Sequence, residues 1–282
     1  MHTIELTTEN LLSFRSFIPA DMTDHIGRAF HHGLITIGDD EPLAGMLWEM
    51  KNMMNTKAKE SRILWLRVED EKAAPELFEK YTENIALDDV VRSFYSIPAV
   101  TDSLEKTVLS AEGFDVKLSE SNEITPPLWQ IADMDLLANI REDANVKSLL
   151  SASPDELAFT LKAFDSLGFH GLCEDLIYLP RMYFENEVSC FYRQDRKISG
   201  LLLFHRMPSG SLKVMLMAAN GKDSRMYLLK MIKRALNTAT DLYSPDTRII
   251  VDRHNYSTLA LGEKLFPDEI GIPVYIGSRK EG

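Results

Sequence analysis

One order of elements is legible twice along this chain of 282 residues. In the first half a helical stretch, Leu11 to Phe30, precedes three strand-like segments: His32–Gly38, Pro42–Met50 and Arg62–Val68. The turn "DDEP" (Asp39–Pro42) joins the first two as a hairpin. A helix over Ala74–Ala86 comes after them, with Pro75 suited to its first turn. Then come a strand at Val90–Ile97, a helix at Asp102–Phe114 and a last strand near Val116. The second half repeats this order. A helical stretch, Val146 to Leu179, leads to strands at Glu187–Arg193 and Lys197–Arg206 around the turn Gln194–Arg196. A third strand at Ser211–Ala219, a helix at Ser224–Ala239 and a strand at Arg248–Val251 come next. A helix over Ser257–Leu265 and the strand Ile272–Gly277 close the half.

Sequence identity between the halves is slight, so the repeat is one of order alone. It implies two mixed α/β domains, 1–125 and 126–282, each with a mostly antiparallel sheet flanked by helices. The polar, proline-containing segment Ser119–Gln130 marks the boundary, although Leu128–Ile131 also reads as a strand of the second domain.

Charge separates the halves more sharply than pattern does. Residues 1–128 carry 12 Lys+Arg against 23 Asp+Glu, a net of −11, whereas residues 129–282 carry 19 against 20, a net of −1. The overall −12 argues against nucleic acid as the main partner. No apolar run is long enough to span a membrane, and the start "MHTIELTTENLL" lacks the basic and apolar regions of a signal peptide. Cys173 and Cys190 have no metal-ligand spacing and suggest a reducing cytoplasm, with both as small buried side chains. His31-His32 has no partner at metal spacing, and Met53-Met54, Met215 and Met217 read as packing residues; no metal is expected.

With these elements and loops, the chain resembles the GCN5-related N-acetyltransferase (GNAT) superfamily in a tandem, two-domain form with degenerate motifs. The resemblance implies that the strand before each central helix splays from its neighbour and that acyl-CoA inserts there. It also implies that the loop entering the helix, usually Arg/Gln-x-x-Gly-x-Gly/Ala, holds the pyrophosphate on its backbone N–H groups. A helix N-terminus suits phosphate because its donors are unpaired and carry partial positive charge. The second half offers "ANGKDSRMYLL", so the resemblance assigns cofactor contacts to Asn220, Gly221, Lys222, Asp223, Ser224 and Arg225. Lys230, Lys233 and Arg234 continue the basic character of the helix. The simpler reading is a solvated helix face with Asp223 or Ser224 as N-cap. The first half, "VEDEKAAPELFE", has no glycine, and five carboxylates surround Lys72. Any coenzyme is therefore expected in the second half.

In the family an Asn commonly opens the helix after the next strand, and that helix often continues as Leu-Tyr-Glu-Lys-Leu-Gly-Phe. Asn255 matches the Asn, either as a cofactor contact or simply as a helix cap. "LGEKLF" (Leu261–Phe266) and "AEGF" (Ala111–Phe114) retain fragments of the helix motif. The tyrosine that often reprotonates the CoA thiolate is missing: Gly262 stands there in the second half and Leu109 in the first. Glu187, His205, Tyr227 and His254 are the candidate acid–base groups, each also readable as an ordinary surface or edge residue. The resemblance implies acyl transfer from acetyl-CoA or another acyl-CoA to a small amine or amino-acid-like acceptor. The alternative is a non-catalytic module that keeps the fold to bind acyl-CoA or to form a homodimer.

Overall fold

The computed structural model describes residues 1–52, 58–132, 134–166, 176–252 and 270–281. Two compact units divide the chain: residues 1–121 with 272–282, and residues 122–271.

The first unit contains β1 (His2–Glu5), α1 (Ala20–Thr23), β2 (His31–Gly38), β3 (Glu41–Asn52), β4 (Lys59–Val68), α2 (Ala74–Ala86), β5 (Val90–Pro98), α3 (Leu104–Ala111) and β6 (Lys117–Glu120). The second contains β7 (Glu123–Ile124), α4 (Leu128–Ala132), α5 (Asp135–Ala138), β8 (Val146–Ser148), α6 (Pro154–Phe164), β9 (Cys190–Gln194), β10 (Lys197–Arg206), β11 (Leu212–Ala219), α7 (Ser224–Leu242) and β12 (Ile249–Asp252). The last strand, β13 (Pro273–Lys280), returns to the first unit, whose sheet runs β1-β2-β3-β4-β5-β13-β6. The second sheet runs β7-β12-β11-β10-β9-β8. Each is antiparallel except for one central pair, β4–β5 in the first and β11–β12 in the second. The fold is mixed α+β, with two sheets.

The local causes are plain. α2 opens on Pro75 in its first turn and buries Leu77, Phe78, Tyr81 and Ile85 along one stripe, against Trp48, Ile63 and Tyr95 of the sheet. α7 does the same with Tyr227, Met231, Ala235 and Ala239 against Leu202, Phe204 and Leu212. A second apolar layer covers the opposite face of each sheet, around Phe17 and Trp65 in one and Phe164 and Phe191 in the other. Both hairpins turn on paired residues of positive φ, Asp39–Asp40 (51° and 65°) and Asp195–Arg196 (49° and 66°). That backbone twist suits a two-residue connection between antiparallel strands.

Four sequence expectations are corrected. Leu11–Phe30 is not one helix: a single 3-10 turn at Leu11–Phe14 and the short α1 replace it, because Pro19 interrupts the run. Val146–Leu179 opens with a strand, β8, and its helix starts only at Pro154, after Ser153 caps it. Leu128–Ile131 is helical, with Leu128 and Ile131 buried on one side, and β7 just before it supplies the strand. Ile272–Gly277 does not close the second sheet; β13 inserts between β5 and β6 of the first.

Candidate functional site

A bulge marks the point where each parallel pair parts. β4 pairs with β5 only from Lys59 to Ile63, and opposite β3 the register steps from Ile63 to Trp65, leaving Leu64 extra. β11 pairs with β12 only at Leu212 and Lys213, and opposite β10 the register steps from Val214 to Leu216, leaving Met215 extra. A bulge bends its strand and ends regular pairing. The remainder of β4 and of β11 therefore leaves its parallel neighbour and runs toward the next helix, α2 or α7.

In the second unit this opening leads to the loop Asn220–Asp223. Gly221 has a φ of +109°, a conformation that side-chain-bearing residues rarely adopt. Asn220 spends its carboxamide locally, accepting from Gly221 N–H at 2.9 Å, while its own N–H holds Ser199 O of β10 at 2.8 Å. Asp223 is the N-cap of α7 but makes no side-chain cap bond. The N–H groups of Lys222, Asp223 and Arg225 have no acceptor among the described residues, although Ser224 N–H reaches Gly221 O. Lys222 and Arg225 are exposed, and their side chains have no partner there either. Such a helix start, with donors and cations free, accommodates an anion.

The equivalent opening of the first unit is filled by the chain itself. Glu105 of α3 accepts from Val68 N–H at 3.0 Å, at the end of β4 that has left β5. Leu104, Val108 and Leu109 pack beside it against the core that holds Val68, Ala73 and Ala74. Asp70 accepts from Lys72 N–H at 2.9 Å and so caps the entering turn.

The remaining predicted residues divide by place. Tyr227 stands on the first turns of α7 with its ring beneath the loop, 3.8 Å from where a Cβ on Gly221 would sit. Its hydroxyl donates to Gln194 at 2.7 Å, and it stacks on Tyr192 at 4.1 Å. Burial first, then the carboxylate of Asp223, pushes its hydroxyl pKa up. Lys230 donates to Asp143 at 2.6 Å and Arg234 to the Glu187 carbonyl at 3.2 Å, so two of the three expected helix cations are engaged, and Lys233 is half-buried. Glu187 lies in the turn before β9, not on a strand. His205 is buried, stacked on Tyr183 at 3.8 Å, with Nδ1 2.6 Å from Tyr183 O. It pairs with Lys213, where β11 is still joined to β12, rather than at the open end. Cys190 is fully buried and its thiol is pushed up to about 12 by burial. His254, Asn255, the Ser257–Leu265 helix with Gly262, Met53-Met54 and Cys173 lie outside the described residues. Among the described residues no group of three or more His, Cys, Asp or Glu could hold a metal ion.

Two features escaped the sequence reading. Glu105 is one carboxylate among many, and nothing in its spacing marks it as the acceptor for Val68. Arg196 and Lys197 sit on a hairpin turn remote in sequence from α7, yet Gln194 and Ser199 bring that hairpin to the loop. The paired strands and the turn residues were legible, and they were the available signal.

No family model matches the chain, and no curated protein does. Solved structures do resemble it. A tandem GNAT protein from the clavulanic acid biosynthesis pathway, solved without acetyl-CoA, aligns over 100% of this chain and 98% of its own, at 10% identity and a TM-score of 0.62. A conserved protein of unknown function from Enterococcus faecalis V583, described as a probable N-acyltransferase, aligns over 99% of this chain and 72% of its own, at 10% identity and 0.57. A GCN5-related N-acetyltransferase from Kribbella flavida aligns over 99% and 71%, at 12% identity and 0.50. With two sheets that part at a bulge beside a central helix, the chain has the fold of the GCN5-related N-acetyltransferase superfamily.

Proposed function

We propose that this protein is an acyl-CoA-dependent N-acyltransferase acting on a small amine or amino-acid-like acceptor, and that its second unit holds the coenzyme. The observation that carries the reading is the contrast between the openings. At the start of α7 the second unit presents N–H donors and the cations Lys222 and Arg225, none with a partner among the described residues. In the first unit Glu105 takes the Val68 donor and Asp70 caps the loop.

The chemistry fits direct attack in a ternary complex. The acceptor nitrogen adds to the thioester carbonyl, the C–S bond breaks with its electron pair going to sulfur, and the proton lost by nitrogen reaches the thiolate through solvent. This chain's residues bind and orient the coenzyme for that step. Tyr227 and His205 are committed to Gln194 and Tyr183, and the inaccessible Cys190 is no acyl carrier. The absence of a role for nucleic acid in this reading accords with the net charge of −12.

One observation favours a second reading, a non-catalytic module that binds acyl-CoA or dimerises. Leu109, where the family's tyrosine would stand in the first unit, is fully buried in the core.

Calorimetry with acetyl-CoA, paired with an assay for free CoA thiol with small amines, separates these readings. Charge-assisted hydrogen bonds contribute roughly 1.5–3 kcal/mol each, so Lys222→Ala with Arg225→Ala should weaken acetyl-CoA binding at least about tenfold. Lys72→Ala should change nothing. Binding without thiol release leaves the module reading standing. Loss of binding in Lys72→Ala alone would move the site to the first unit and overturn the assignment.

A further inference from the structure

We infer that the β9–β10 hairpin turn is a second wall of the coenzyme site, and that Arg196 and Lys197 on it read the 3′-phosphate of CoA. The inference rests on the proposed coenzyme site at α7. It adds a preference for CoA over its dephosphorylated form.

Three contacts bring the turn to the loop. The Tyr227 hydroxyl, on the first turns of α7, donates to Gln194 at 2.7 Å. Asn220 N–H holds Ser199 O at 2.8 Å, and Gly200 pairs with Ala219 at the last step of β11. Asp195 and Asp223 both act on the Tyr227 hydroxyl, one from the turn and one from the loop. Lys197 lies three residues beyond Gly200, roughly 10 Å along the strand, so the tip extends past the end of β11 beside Asn220–Asp223.

The charges there are unequal. Arg196, Lys197, Lys222 and Arg225 are exposed and have no side-chain partner among the described residues. The carboxylates of Asp195 and Asp223 share the surface, leaving a surplus of two positive charges. Lys222, Arg225 and the α7 N–H groups suffice for one diphosphate. The two cations of the turn are left for a further, separate phosphate, and CoA carries one on its ribose. Tyr227 and Gln194 are positioning residues in this arrangement, since they tie the turn to the helix without touching ligand.

Calorimetry on the full chain with CoA and with dephospho-CoA tests the idea. The variant is Arg196→Asn with Lys197→Gln, because Asn tolerates the left-handed conformation at position 196 and keeps the turn. The wild type should bind CoA about tenfold or more tightly than dephospho-CoA, as one lost charge-assisted contact predicts. The variant should bind both alike, at the wild-type affinity for dephospho-CoA. Equal affinities in the wild type, or an equal fall for both nucleotides in the variant, would overturn the inference. A wild type that binds neither nucleotide would remove the coenzyme site itself, and this inference with it.

Discussion

At the scale of single residues, two carboxylates do different work. Glu105 takes a backbone donor where β4 has left β5, so removing it strands the Val68 N–H. Glu105→Ala should lower stability by about 1–3 kcal/mol, read by urea unfolding, whereas Glu105→Gln keeps an acceptor and should lose less. Equal losses for the two would show that the hydrogen bond is not what matters. Asp143 is held below the ordinary carboxyl value of 3.8, first by the hydrogen bond from Lys230 and then by Asn145 N–H. A carboxyl with a lowered folded pKa stabilises the fold above its unfolded value, and that contribution disappears as pH falls through the folded one. Asp143→Asn should therefore be less stable than wild type at neutral pH, with the difference shrinking in strong acid below 3.8. A difference independent of pH would refute the ion-pair account.

Among elements, β13 is the one whose placement changes the picture most. It pairs with β5 along Val274–Lys280 and with β6 along Pro273–Ile276, so the first sheet has a gap without it. Arg279 fastens it: the guanidinium donates to Glu112 O and Thr82 Oγ1, forks onto Glu281, and lies 4.9 Å over Phe114. At Gly277 a Cβ would stand 1.6 Å from Asp115 O, closer than any real contact. A chain ending at Gly271 should lose the cooperative unfolding of the first unit, and Gly277→Ala should weaken it in the full chain. Hydrogen exchange at β5 amides is the direct measure, since those amides lose their partner strand. Unchanged protection in the shortened chain would contradict the pairing.

For the whole molecule, charge and occupancy of the two openings point the same way. The half with a net of −11 repels a polyanion, and its opening already holds Glu105; the half with −1 carries the donors that have no acceptor among the described residues. Calorimetry should accordingly return one CoA per chain, with affinity falling as salt rises, because exposed cations are screened. A stoichiometry of two would mean that the first opening also admits ligand.

The sequence by itself determined the run of strands leading to a central helix in each half, the helix starts at Ala74 and Ser224, and the hairpin turns within Asp39–Pro42 and Gln194–Arg196. Each of these is a local matter of apolar period, a proline at a helix start or paired turn residues. The acidity of the first half was legible directly from its residue counts. Only the tertiary structure decided that β13 belongs to the first sheet, since strand order depends on long-range pairing and not on position in the chain. It alone also showed that Lys230 and Arg234 are engaged while Lys222 and Arg225 have no partner among the described residues. A charged side chain's availability depends on what packs beside it, and Asp143 and Glu187 are distant in sequence. The same holds for Glu105 and for the turn at Arg196–Lys197, which reach their places through backbone contacts that no periodicity encodes.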